Sequence, residues 1–212
     1  MKKIFIAMFV VLILSVRNFC NAATIETAYF NGNEQLIYPI VNVGDVNIDR
    51  KINVAIIAEI DRFLTGVYRN AQENNYEVAD IRTSYEVPCN GAGNTVILSI
   101  LITESNYYKG GAHPATYRHA LNFNTSTGEL MDTSYLTDIG EGIPQSKLIS
   151  QLEEKLKAQA LREKIYLFND ALPLKNLPKD FYRDENLHVH FIFQHYEVAP
   201  YAAGIIDVDI DA

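Results

Sequence analysis

Apolar positions follow two periods along the chain. Residues 24–30 and 35–43 alternate in the manner of β-strands, and Asn31-Gly32-Asn33 between them has hairpin-turn chemistry. From 47 to 74 the period changes to that of a helix: Ile52, Ile56, Ile60, Phe63, Val67 and Ala71 recur three or four apart and predict one buried face. Asn47 is the expected N-cap, and Asn74-Asn75 closes the helix. Residues 76–87 and 95–103 return to strand character around a turn-rich loop at 88–94. A further strand is predicted at 116–124, turning at Ser126-Thr127-Gly128 into a short return at 129–132. Pro144 opens a second helix, whose apolar stripe is Leu148, Leu152, Leu156 and Ala160. Its outer face, with Glu153, Glu154, Lys155 and Lys157, reads as solvated. Pro173 and Pro178 bracket a connecting loop. Residues 187–195 form an alternating strand with His188 and His190 on its polar side, and 204–210 form the last strand.

Short turns between neighbouring strands favour antiparallel pairing. The expected fold is therefore α+β, with two main helices packed on antiparallel sheets, arranged as two similar strand–helix–strand halves. The halves are assigned to 23–105 and 106–212. No low-complexity linker separates them, so one compact unit is expected.

The first residues form a different pattern. Lys2 and Lys3 precede an apolar run of 13 residues, Ile4 to Val16, and small residues end the segment at Ala22-Ala23. This is the layout of a secretory signal peptide, assigned to 1–22. The run is short of the roughly 20 residues of a membrane-spanning helix. Cleavage predicts a secreted or periplasmic protein with no stable membrane anchor. Asn18 and Phe19 are not the small residues that lipid attachment at Cys20 would prefer. Cys89 is then the single cysteine of the mature chain, and it reads as a small hydrophobe beside a turn.

Charge narrows the partners. All 26 acidic residues lie beyond the leader, but three of the 18 basic ones (Lys2, Lys3, Arg17) lie within it, leaving 15 basic against 26 acidic, a net −11. A polyanion needs a basic face, so nucleic acid is excluded as an expected partner. At 48% hydrophobic and 21% charged, the chain has the composition of an ordinary globular protein rather than a disordered one.

Candidate chemistry gathers around Tyr107-Tyr108-Lys109-Gly110-Gly111-Ala112-His113. The glycines permit unusual backbone and a close approach to an anion, and His113 offers a proton or a ligand atom. The structural reading is a kinked, bulged strand with His113 bonded to backbone. Tyrosine combines a flat apolar body with a hydrogen-bonding tip, which suits Tyr107, Tyr108 and Tyr201 to recognition. His188 and His190 have a spacing that a metal could use, but no H-E-x-x-H or paired-cysteine motif accompanies them. They read as surface residues, and no metal or cofactor is expected. A Ser–His–Asp triad lacks its nucleophile elbow.

Three segments together resemble a known family. They are Tyr38-Pro39-Ile40 with Lys51-Ile52-Asn53; the Tyr107–His113 stretch with Asn122-Phe123-Asn124 and Thr127-Gly128; and the run from Phe191 through Gln194-His195-Tyr196 to Pro200-Tyr201-Ala202-Ala203-Gly204. Their order and spacing resemble the RsiV-like extracytoplasmic domain over nearly all of the mature chain. The resemblance implies an α+β fold outside the bacterial membrane. It also implies kinship with an anti-sigma-factor ectodomain that binds lysozyme and with domains that precede polysaccharide deacetylases. It carries over no catalytic residues. Only three residues precede the apolar run and none follows Ala212, so neither a sigma-factor-binding segment nor a deacetylase domain is expected.

The expectation is a non-enzymatic binding module that recognises a cell-wall glycan, such as peptidoglycan, or a wall-acting protein such as lysozyme. Its binding residues would be Tyr107, Tyr108, Gly110, Gly111, His113 and Tyr201. The alternatives are a cell-wall polysaccharide hydrolase or deacetylase-related enzyme using His113 with a carboxylate such as Glu104, and a structural subunit of the envelope.

Overall fold

The computed structural model describes residues 22–93, 95–139 and 141–212. Apart from Ala22, the predicted signal peptide lies outside them. The fold is α+β, with two main helices and three antiparallel sheets. A hairpin of β1 (Thr24–Tyr29) and β2 (Ile37–Asn42) leads into α1 (Val46–Asn74). The central sheet runs in the order β3 (Val78–Asn90), β4 (Ile97–Tyr108), β5 (Ala115–Asn124), β6 (Leu130–Met131). A single π-type turn, Tyr135–Ile139, precedes α2 (Gln145–Glu163). The last sheet is β7 (Asp180–Arg183), β8 (Val189–Phe193) and β9 (Ile206–Asp209).

The layers run helix, sheet, sheet, helix. The α1 stripe Ile52, Ile56 and Ile60 packs on Leu98, Ile100 and Ile102 of β4 and on Leu121 and Phe123 of β5. Phe63 and Val67, one turn further on, reach Ile81 of β3 and Leu36. On the opposite face of the central sheet, Leu101 meets Tyr182 and Ile192 of the last sheet. The other side of that sheet, with Phe181, Phe191, Phe193 and Val208, closes on Leu148, Leu152 and Leu156 of α2. Burial on both faces explains why β4 reads as a nearly continuous apolar run rather than an alternation.

A polar seam also ties the two sheets. Buried Asn122 donates from Nδ2 to the Phe181 carbonyl (2.6 Å), and its Oδ1 accepts from Ser99 Oγ (2.7 Å). Ser99 Oγ in turn accepts from the Arg183 backbone N–H (3.1 Å).

Several expectations need correction. The N-cap of α1 is Asp45, whose Oδ1 accepts from the N–H groups of Asn47 and Ile48 at 2.8 and 3.3 Å. Asn47 sits inside the first turn. The boundary drawn at Ser105 falls within β4. Strand β7 was not foreseen between the prolines and His188, because its four residues Asp-Phe-Tyr-Arg are too short to show a period. The predicted strand 187–195 is trimmed to β8 because Leu187 and Tyr196, near its ends, take positive φ (67° and 65°). His190 is no surface residue. Its strand face packs inward, with Ile192 against Leu101, and its ring stacks on Tyr182 at 4.5 Å. Among the described residues, no helix is long and apolar enough to cross a membrane.

Candidate functional site

The core-facing side of β4 changes character along its length. Leu98, Ile100 and Ile102 point to α1; two residues on, the same face presents Glu104, then Asn106 and Tyr108. Antiparallel pairing sets His119 beside Ile102, Tyr117 beside Glu104 and Ala115 beside Asn106. The helix passes over this region with Arg62, Phe63, Gly66 and Asn70. Gly66 has no side chain, and α1 has by then shifted its apolar contacts toward β3. A cleft of about 540 Å³ opens where the α1–sheet core ends.

Its inner end is a cluster of charges from four elements. Glu59 of α1 accepts from Arg62 Nε (2.9 Å) and Nη2 (2.6 Å). The same Nη2 lies 3.3 Å from Glu104 Oε2. His119 Nε2 faces that oxygen at 3.7 Å, and its Nδ1 contacts Asp180 at 3.3 and 3.4 Å. Asp180 also accepts from the Ala120 N–H (3.0 Å), and Gln194 accepts from the Arg118 N–H (3.1 Å). These two side chains, one on β7 and one just past the end of β8, thus cap the open edge of β5.

The carboxylates differ because their surroundings differ. Burial pushes Glu104, only 1% exposed, up to about 7, and the attraction of His119 and Arg62 only partly opposes it. Glu59 is also penalised by burial, but its bonds to Arg62 outweigh this and hold it below the ordinary range. Burial opposes the charge on both His119 and Asp180, yet their contact wins for each: His119 is raised and Asp180 lowered. Asn106, buried on the cleft wall, has an amide Nδ2 with no hydrogen-bond partner among the described residues. Tyr117 is 43% exposed, and its ring lies nearly parallel to that of His119.

The six residues singled out from the sequence divide among three places. Tyr108 lines the cleft, donating its hydroxyl to the Val67 carbonyl (3.0 Å). Tyr107 and the glycines belong to the β4–β5 turn. There the Gly111 N–H bonds the Tyr108 carbonyl (2.9 Å), and Tyr107 Oη bonds the Gly111 carbonyl (2.9 Å). A Cβ on Gly111 would sit 3.0 Å from the Tyr108 carbonyl oxygen, so a side chain there would need the backbone to give by a few tenths of an ångström. The segment is a turn rather than a bulged strand. His113 and Tyr201 form an aromatic group, with the Tyr201 ring stacked on His113 at 3.7 Å and on His195 at 4.2 Å, and Tyr196 tilted alongside. His113 Nδ1 sits 3.0 Å from the Pro114 carbonyl.

Glu104 was named from the sequence, but its histidine is His119, not His113. Glu59, Arg62, Asn106, His119 and Asp180 were not singled out. The available signal was the polar run Glu104 and Asn106 continuing the apolar face of β4. Cys89 is buried, with its thiol directed at the Ile97 carbonyl (3.2 Å).

The four-layer α+β arrangement defines the class to which the chain is similar. A member of the DUF3298 family from Bacteroides fragilis NCTC 9343 matches it with a TM-score of 0.53 and 19% identity, over 88% of this chain and 87% of that one. A DUF3298 family protein from Pseudomonas aeruginosa PAO1 matches with a TM-score of 0.54 and 14% identity, over 89% and 88%. In sequence, residues 132–212 match the DUF3298 family, described as a protein of unknown function. That segment holds α2 and the last sheet, and it includes Asp180, Gln194 and Tyr201. The rest of the cleft lies before it. No curated protein matches the chain.

Proposed function

We propose that the protein is a non-enzymatic binding module that works outside the cytosol and takes a segment of a cell-wall glycan into the α1–β4–β5 cleft. The observation that carries this reading is the cleft wall. An exposed Tyr117 ring lines the cleft together with Asn106, whose buried amide Nδ2 has no hydrogen-bond partner among the described residues. A sugar has an apolar ring face for the tyrosine and hydroxyl or acetamido oxygens for the amide. An unpaired buried donor is costly, and a ligand oxygen removes that cost.

The charged cluster favours binding over hydrolysis. Glycoside cleavage places two carboxyl groups on either side of the bond to be broken. Here Glu59 and Glu104 are bridged by one guanidinium, Arg62, and of the two only Glu104 lines the cleft. The leader supports export, and the RsiV-like resemblance supports a role at the cell wall.

Calorimetric titration with soluble peptidoglycan fragments, in EDTA, tests the proposal. Wild-type protein is expected to bind. Tyr117→Ala is expected to weaken binding by about tenfold, the loss of one stacking contact of ~1–1.5 kcal/mol. Absence of binding, or equal affinity in the variant, overturns it.

A second reading has its own support. Residues 22–212 carry 15 basic against 26 acidic side chains, and Tyr196 is 58% exposed beside Tyr201 and His113. A strongly basic wall-acting protein such as lysozyme fits such a surface, with steered association that weakens in salt. Titration against lysozyme at low and moderate salt tests it. Binding that is absent at both, or indifferent to salt, removes it.

A further inference from the structure

The charged end of the cleft has the composition of a metal site that neither the family match nor the sequence motifs indicated. One ligand atom from each of Glu59, Glu104 and His119 lies within 4.8 Å of the other two. Ligand atoms around a tetrahedral ion with bonds of about 2.1 Å stand roughly 3.4 Å apart, so the three atoms must draw together by about 1 Å. His119 is already oriented for the task. Its Nδ1 is held by the Asp180 carboxylate, and its Nε2 points to Glu104 at a distance too long for a hydrogen bond. A carboxylate behind the imidazole is the usual outer-shell support of a metal-binding histidine. Asn106, 4% exposed, lines the same cleft with an unpartnered Nδ2, a donor for an oxygen that arrives with the ion, such as a bound water. Finally, two carboxylates, Glu59 and Glu104, share the single guanidinium of Arg62, and a dication offsets the negative charge left over.

We infer that Glu59, Glu104 and His119 bind a single divalent transition-metal ion of the zinc type, with Asp180 as the positioning residue behind His119. An imidazole among carboxylates favours such an ion over Mg²⁺, which prefers an all-oxygen octahedral shell. Arg62 is the competitor. Its side chain is 53% exposed and can turn to solvent when the ion enters. The inference does not depend on which organic ligand the cleft takes.

The test is calorimetric titration of untagged, EDTA-stripped protein with Zn²⁺, with Mg²⁺ as the control. One Zn²⁺ per chain is expected, with no comparable Mg²⁺ binding. Glu104→Gln and His119→Gln should each weaken zinc binding by about tenfold or more, the scale on which metal sites respond to ligand and outer-shell loss. Arg62→Ala should tighten it by removing the competing cation. Glu104→Gln keeps the size of the side chain and relieves a buried charge, so its loss of zinc binding is not a folding defect. No zinc binding by the wild type, or unchanged affinity in both the Glu104 and His119 variants, overturns the assignment. Weaker binding in Arg62→Ala also overturns it, because the guanidinium would then be supporting the site rather than competing for it.

Discussion

Glu104→Gln is the sharpest probe of the cleft in the free protein. Glu104 is 1% exposed, and its folded-state value is raised from 4.5 to about 7. The sign follows from linkage. Between these values the folded protein holds a proton that the unfolded chain has released, so stability falls as pH rises through the window. The penalty is absent below about pH 4.5 and complete above about pH 7. At ~1.4 kcal/mol for each unit, a shift of this size corresponds to roughly 3 kcal/mol. Glutamine has nearly the same shape and no charge to desolvate. Part of the gain is lost at every pH because its amide NH₂ faces the Arg62 guanidinium without an acceptor, so the variant should exceed wild type by about 2–3 kcal/mol at pH 8 and fall slightly below it near pH 4.5. Urea unfolding of both proteins at the two pH values gives the difference directly. An equal difference at both pH values, or a destabilised variant at pH 8, would refute the reasoning. Either would mean that Arg62 and His119 hold the ionised carboxylate well enough to overcome its burial.

Other perturbations probe the surrounding frame. Asp45→Ala removes the side-chain acceptor for two N–H groups of α1 and should lower stability by about 1 kcal/mol in urea unfolding; no loss would deny Asp45 its capping role. Asn122→Ala strands the Ser99 hydroxyl and the Phe181 carbonyl between two sheets, so a loss of roughly 2–4 kcal/mol is expected, and under 0.5 would show the seam to be dispensable. His190 is raised above 6.5: burial opposes its charge, but its contact with Asp207 and the nearby Asp209 and Asp184 outweighs this. A raised histidine stabilises fully below its unfolded value and loses that contribution as pH rises through its folded one. The stability advantage of wild type over His190→Gln should therefore shrink between pH 6 and pH 8.5, and a constant difference would contradict the assignment.

Much of the frame was legible because it is periodic. The stripes of α1 and α2 stand as read from the sequence, since each buries one face against a sheet and the spacing of Ile52, Ile56 and Ile60 or of Leu148, Leu152 and Leu156 records it. The sheet-on-sheet contact was hidden. Ile192 lies on the face of β8 that also carries His190, and alternation alone assigned that face to solvent. The cleft was harder still. Glu59 and Arg62 are three apart on a helix, where an ordinary surface ion pair looks the same. His119 and Glu104 are joined only by strand register, and Asp180 arrives from a four-residue strand with no sequence signature. The glycine pair has a physical basis, a positive φ at Gly110 and a tight backbone approach at Gly111, but its role is to turn β4 into β5 beside the cleft.

The central claim is that the cleft over Glu104 is where this protein meets its ligand. Backbone amide shifts followed by NMR during titration with soluble peptidoglycan fragments test it most directly. The account predicts changes centred on Arg62, Asn106, Tyr117 and His119. Changes confined to Tyr196 and Tyr201, or none at saturating fragment, would contradict it.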